Sequence, residues 1–452
     1  MTRSAVLWRT FIVPSLFACL ISGAANGQTV TQPCLHVDVF ASGFSVPTGF
    51  SFIGSDELFV IEKNTGRVKL FQAGSGSTTV LDLNVSNDNE RGLLGIATHP
   101  SFANNNQVYV YFSANDVGSD SNDPNHWTEN RLSRFTWNGS ALTSEQILLR
   151  FERDPAQANG ANHDGGPLVF GPDGRLYGVT GDLNRDRAEQ NEQTQAANSS
   201  DVGGIYRVNA PGTDPQDGSD PNDNPFITHA NSEFHRLFAY GVRNSFGLAF
   251  DPMTNTLWDT ENGPSTYDEI NLVAPGFNSG WSQIMGPDSR DPQGVGDLVD
   301  LGSGSTYSDP EFSFLFPIGI TDLVFLAGFL DPSYHDAVVF GGANAVNAGR
   351  LHILRLNTNR DGFDVSGLPV GLSDFVTDNS AELDSLTFGT GFGITTDIQI
   401  GPGGALYILS LTNGELYQVV PEPGTALVVG LGLMLITVNG RRERARALSI
   451  QS

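Results

Sequence analysis

Short apolar runs broken by turns recur along the chain. No long stretch outside the two ends carries apolar residues at i, i+3, i+4 and i+7, the mark of an amphipathic helix. The recurring unit is a turn, two to four apolar residues opening a strand, a loop, and a second strand with an aromatic or β-branched residue. It stands at "GSDELFVIEKNTGRVKLFQ" around Leu58 and at "ANNNQVYVYFS" around Val108, followed by "RLSRFTW". It returns at "GPDGRLYGVTGD" around Leu176, "DPMTNTLWDTENGP" around Leu257, "YHDAVVFGGANA" around Val338 and "GPGGALYILSLTNGELYQVV" around Leu406. Six such copies at a long period, with Gly, Asp and Asn in the turns, predict radial repetition: an all-β, six-bladed β-propeller with long inter-blade loops. A β-sandwich, or two β domains, is the competing architecture. The longest insertions, "NDVGSDSNDPNHWTEN" and "GTDPQDGSDPNDNPFITHANSEFH", fall between copies, where a rigid scaffold carries function.

Composition agrees with turn-rich β structure: the 452 residues include 52 Gly, and only 16% are charged. The ends read as addresses. Residues 1–27 place Arg3 and Arg9 before an apolar run, Phe11 to Ile21, and then small residues, which predicts a secretory signal peptide. Residues 28–420 are the expected propeller. Residues 421–452 run from Pro421-Glu422-Pro423 through an apolar segment, Thr425 to Val438, to Arg441, Arg442, Arg444 and Arg446. That order resembles the PEP-CTERM sorting tail of bacterial surface proteins. It implies export, transient anchoring by the C-terminal segment and a sorting protease as partner; an ordinary membrane anchor is the plain alternative.

Removing both ends takes away six arginines and two glutamates, so the formal charge deepens from −26 to −30. Such a surface repels nucleic acid and anionic lipid and accommodates calcium. Cys19 lies in the leader, which leaves Cys34 alone in the mature chain and predicts no internal disulfide.

The chemistry-bearing stretch is "NHDGGPLVFGPDGRLYGVTGD". His163 precedes one strand, Asp182 follows the next, and a hairpin of that length returns its outer ends to one rim. The pair is a candidate base and its partner; a solvated loop histidine is the plain alternative. Arg243-Asn244 in "GVRNSFGLAFDP" can hold a carboxylate or carbonyl oxygen. In "ENGPSTYDEINL", the carbonyls of Gly263 and Pro264 with Asp268 and Glu269 form an oxygen-rich set that suits calcium, or simply a turn and a strand start. Glu90, ahead of "GLLGIA", stands where it can reach a pocket or only pair with Arg91.

Together "GLLGIATHPSFANNNQVYVYFS", "NHDGGPLVFGPDGRLYGVTGD", "GVRNSFGLAFDP", "NGPSTYDEINLVAPGFNSGW" and "GPGGALYILSLTNGELYQV" resemble the glucose/sorbosone dehydrogenase family, the soluble pyrroloquinoline-quinone type. The resemblance implies His163 as catalytic base, with Asp182 orienting it or a neighbouring donor. It implies Arg243 and Asn244 beside the quinone, Glu90 lining the pocket, and calcium at Gly263 and Pro264 with the acidic pair Asp268–Glu269 following. A sugar is the implied substrate, giving up hydride to the quinone, with an external electron acceptor as partner. The chain departs from the family where its best-known members present a late-blade lysine. Only Lys63 and Lys69 exist here, both in the first copy, and Arg350 is the late cation in their place. A non-catalytic, calcium-stabilised propeller binding a glycan or protein at the cell surface is the second reading. A propeller lactonase is a third.

Overall fold

In the computed structural model the chain is an all-β propeller. Residues 27–32, 34–154, 160, 162–184, 191, 201–212, 217–291, 294–302, 304–344, 346–347 and 349–422 are described. The expected leader and sorting tail therefore lie outside the described residues, apart from their innermost positions. No described helix is long and apolar enough to cross a membrane.

The strands group into six sheets. Each copy of the sequence pattern supplies the second and third strands of one sheet: Glu57–Glu62 with Arg67–Gln72, Gln107–Asn115 with Trp127–Trp137, and Leu176–Thr180 with Gly204–Val208. Leu257–Glu261 with Asp268–Val273, Ala337–Gly342 with Leu351–Arg355, and Leu406–Ser410 with Glu415–Pro421 complete the set. These strands read as runs rather than alternations because neighbouring sheets cover both of their faces. Leu176–Thr180, for example, is buried at every position.

A first strand precedes each pair: Pro47–Phe52, Leu93–Thr98, Leu168–Phe170, Ser245–Phe250, Ile320–Phe325 and Thr395–Ile400. Each first strand packs against the next, and Thr395–Ile400 packs back on Pro47–Phe52, so the ring closes. The core is divided in the same way. Six apolar clusters fill the six gaps between successive sheets. Trp258, Phe312, Ile320 and Phe340 meet between the fourth and fifth sheets, for instance. Closure is completed by Leu35–Ser42, near the start of the described chain, which pairs antiparallel with the last strand, Glu415–Pro421. An axial cavity of ≈ 850 Å³ runs down the ring, lined by Phe50, Ile96, Phe170, Leu248, Leu323 and Ile398, one from each first strand.

Cys34 is disulfide-bonded in the intact chain. The expectation of no internal disulfide concerns the mature chain, in which Cys34 stands alone. Cys19 itself lies outside the described residues.

Candidate active site

Loops that lead into first strands and out of second strands share one rim. This topology gathers residues far apart in sequence. Leu168 pairs with Gly178 across the third sheet, so His163 and Asp182, beyond the two strand ends, arrive together. His163 Nδ1 lies 2.6 Å from Asp182 Oδ1. Asp182's other oxygen accepts the indole N–H of Trp281 at 2.7 Å. Both members of the pair are buried, His163 at 8% exposure and Asp182 at 3%. That burial removes the solvated-loop alternative for His163.

Glycine makes the approach possible. A Cβ on Gly181 would lie 2.2 Å from the carbonyl oxygen of His163 and 2.8 Å from that of Arg243. Three loops abut at this one position, immediately before Asp182. Asp182 N–H donates to the Arg243 carbonyl at 2.9 Å, and Leu183 N–H to the His163 carbonyl at 3.2 Å. His163 itself takes a left-handed backbone, φ 63°, at a cost of order 1 kcal/mol. Its backbone N–H is held by Glu90 Oε2 at 2.7 Å.

Glu90 and Asn244 therefore act as ties. Asn244 Nδ2 donates to Glu90 Oε2 at 3.1 Å, while its Oδ1 accepts from Gly165 N–H at 3.2 Å. Arg243, next in sequence, points elsewhere. Its Nη1 donates to the Asn262 carbonyl at 2.8 Å and the Gly263 carbonyl at 3.2 Å, and its guanidinium lies 5.3 Å from the Trp281 ring centre. Burial holds that guanidinium below its usual basicity, offset by the charges of Asp182, Glu261, Glu90 and Asp268. Arg243 Nε is buried and has no hydrogen-bond partner among the described residues. Buried donors of this kind are normally satisfied, and an arginine aimed at a ligand oxygen would satisfy this one.

Asp164, beside His163, is fully buried. Burial raises its carboxyl to about 6, against the opposing charge of Arg91 and a hydrogen bond from Asn130. Arg91 is packed 3.7 Å over the Trp127 ring and 3.7 Å from Asp164. Lys63 lines the cavity with Asn89, Glu90 and Gly165. Burial lowers its pKa, opposed by the charges of Asp164, Glu90 and Asp88.

The two acidic side chains anticipated beside calcium, Asp268 and Glu269, do not converge. Asp268 and Glu269 are consecutive in a strand, so their side chains leave opposite faces of the sheet. Asp268 accepts backbone N–H bonds from Gly263 at 3.1 Å and Ile320 at 2.9 Å. Glu269 turns away to the backbone N–H of Gly286. The Gly263 carbonyl already accepts from Arg243, and Pro264 adds only a backbone oxygen. Among the described residues, no group of three or more His, Cys, Asp or Glu side chains is placed to hold a metal ion. Arg350 also stands apart, pairing with Asp384 at 2.7 Å. The quinone's requirements fare better: a cation with an unused donor, Arg243, lies beside the His163–Asp182 pair.

Trp281 and Glu261 were not singled out as site residues in the sequence. Glu261 accepts the Arg243 backbone N–H at 2.7 Å and fixes the turn that carries it. Trp281 is 99 positions from Asp182, and no local pattern joins them.

This is a propeller with a buried histidine–carboxylate pair and a stacked arginine at one rim. The family model for glucose/sorbosone dehydrogenases matches residues 44–418, and the chain belongs to that family. The chain is 26% identical over 420 residues to the aldose sugar dehydrogenase YliI of Escherichia coli, covering 91% of this chain and 98% of that protein. It is 30% identical over 265 residues to quinoprotein glucose dehydrogenase B of Acinetobacter calcoaceticus, covering 55% of this chain and 52% of that protein. The crystal structure of a putative oxidoreductase (glucose dehydrogenase) from Thermus thermophilus superposes with a TM-score of 0.64 at 25% identity, covering 85% of this chain and 100% of that one.

Proposed function

We propose that the chain oxidises a sugar hydroxyl, the six sheets acting as six blades around a pocket that takes pyrroloquinoline quinone. The observation that carries this reading is the 2.6 Å contact between His163 Nδ1 and Asp182 Oδ1. A carboxylate accepting at Nδ1 leaves Nε2 unprotonated, and Nε2 is then the base that takes the sugar hydroxyl proton. The quinone, when bound, supplies the hydride acceptor. Arg243 would hold it through its unused Nε–H and stabilise negative charge on its oxygen. Phe316, which is 57% exposed and follows Leu315, whose carbonyl accepts the Tyr267 N–H, offers an apolar face near the turn that carries Gly263. No step is derived from calcium, because the side chains expected to bind it face apart. The apolar leader and the Pro-Glu-Pro tail support export to the cell surface, with an external acceptor taking the electrons.

The test uses the purified full chain with the quinone, an artificial electron acceptor and a panel of aldoses, with and without calcium. Quinone-dependent reduction is expected, falling at least about 10²-fold in His163→Ala with the fold intact. Unchanged turnover in that variant would remove the base role. The scarcity of lysine and the engagement of Arg350 with Asp384 favour one other reading, a surface-binding propeller without catalysis. Absence of both quinone binding and reduction would select it.

A further inference from the structure

The His163–Asp182 pair has a third member. The Trp281 indole N–H donates to Asp182 Oδ2 at 2.7 Å, while Oδ1 takes His163 Nδ1 at 2.6 Å and the Asn184 backbone N–H at 2.8 Å. Trp281 is only 8% exposed. Its backbone is pinned at both ends: its N–H donates to the Gly241 carbonyl at 3.0 Å, and its carbonyl accepts from Asn191 Nδ2 at 2.8 Å. The Arg243 guanidinium rests over its ring, within cation–π reach. One side chain thus touches both the partner of the base and the cation of the pocket.

A carboxylate bonded to an imidazole through one oxygen can still swing about its last torsion, which is broad. A donor on the second oxygen fixes its plane, and a fixed acceptor fixes the imidazole tautomer and ring orientation. We infer that Trp281 is a positioning residue: its indole N–H locks Asp182 so that His163 carries its proton on Nδ1 and presents Nε2 to the substrate hydroxyl. The inference rests on the reading of His163 as the base. The charged groups around the pair are Glu90 on the His163 backbone N–H, Asp164 beside it in sequence, Lys63 against Glu90 and Asp164, and Arg243 against Asp182 and Glu261. None of these donates to Asp182 Oδ2 among the hydrogen bonds described.

Trp281→Phe removes the N–H while leaving an aromatic ring at the position. Nitrogen-15 NMR of the histidines in the full chain, with no cofactor added, reads the tautomer directly. The wild type is expected to show His163 as the Nδ1–H form. The variant is expected to show mixed tautomers, because the plane of the Asp182 carboxylate is no longer fixed. With quinone and sugar, kcat is expected to fall about ten- to hundredfold with little change in KM. An unchanged tautomer in a folded Trp281→Phe protein overturns the inference, as does a loss of thermal stability alone. Should the variant not fold, the wild type still decides: the Trp281 indole proton resonance must shift in step with the His163 titration, and an indole that ignores it overturns the inference. Failure of the base reading shows separately, as turnover retained in His163→Ala.

Discussion

At Asp182 a single oxygen atom, Oδ1, meets His163 Nδ1. Replacing Asp182 with asparagine preserves size while allowing an amide N–H to face His163 Nδ1. The imidazole would then carry its proton on Nε2 and lose its basic lone pair toward the substrate. Asp182→Asn is therefore expected to lower kcat roughly 10³–10⁴-fold, by analogy with the same exchange in serine proteases, with small effects on KM and melting temperature. Steady-state kinetics with a calorimetric control checks it. The His163–Asp182 pairing was legible in the sequence because a hairpin returns its outer ends to one rim. The functions of Glu90 and Asn244 were less so. Glu90 lines the cavity as expected, and it and Asn244 also bond to each other and to the backbone of His163 and Gly165. Sequence shows that a polar residue stands at a rim, but which neighbour claims it depends on contacts between loops 73 or 154 positions apart.

The strands and their junctions carry the site. The second and third strands of every sheet announced themselves as apolar runs, since burial on both faces leaves no polar alternation to confuse them. First strands were quieter: Leu168–Phe170 has only three residues, all half-buried along the cavity. Strand periodicity also explains why the acidic pair expected beside calcium does not converge. The acidic doublet Asp268–Glu269 looked like one site in sequence, but a period of two sends its members to opposite faces. Gly95 is the junction most open to test. A Cβ there would lie 1.9 Å from the Gly166 carbonyl oxygen, backbone that no rotamer change can move. Gly95→Ala should push the His163–Gly166 loop off the second sheet. It is expected to cost about 1–3 kcal/mol of stability in denaturant titrations and to lower turnover as well. Trp258→Ala, between the fourth and fifth sheets and far from the chemistry, should instead cost about 3–5 kcal/mol by leaving a cavity. Any protein that remains folded should keep its specific activity.

At the scale of the whole molecule, several acidic side chains among the described residues are fully buried. Burial pushes Asp259 and Glu261 up to about 8, with the charge of Glu269 adding at the first and that of Asp259 at the second. Burial likewise raises Asp397 to about 6, and burial with the charge of Asp397 lifts Asp322 well above its usual range. For each, the folded protein holds a proton that the unfolded chain has already released. The stability these groups confer is complete near pH 4 and is lost as pH climbs toward 8. In the other direction, Asp223, held below its usual range by Arg207, loses its contribution as pH falls. The melting temperature is therefore expected to peak in mildly acid buffer and decline steadily to pH 8. Asp397→Asn, which can still accept from Phe50 N–H, should flatten the part of that decline below about pH 6. A melting temperature rising from pH 5 to pH 8 would contradict this account.

The pairing of Leu35–Ser42 with Glu415–Pro421 has a consequence in time as well as in space. A chain made from its first residue onward must wait for nearly its entire length before the sixth sheet finds its outer partner. Until then the ring is an open arc, with two sheet edges and a gap where the sixth wedge of core belongs. An arc of that kind invites pairing with other chains. Closure is the last event of synthesis and the first loss on shortening. Stopping the chain before Leu406 is expected to yield aggregate rather than a smaller propeller, whereas removing residues beyond 422 should leave the melting temperature unchanged.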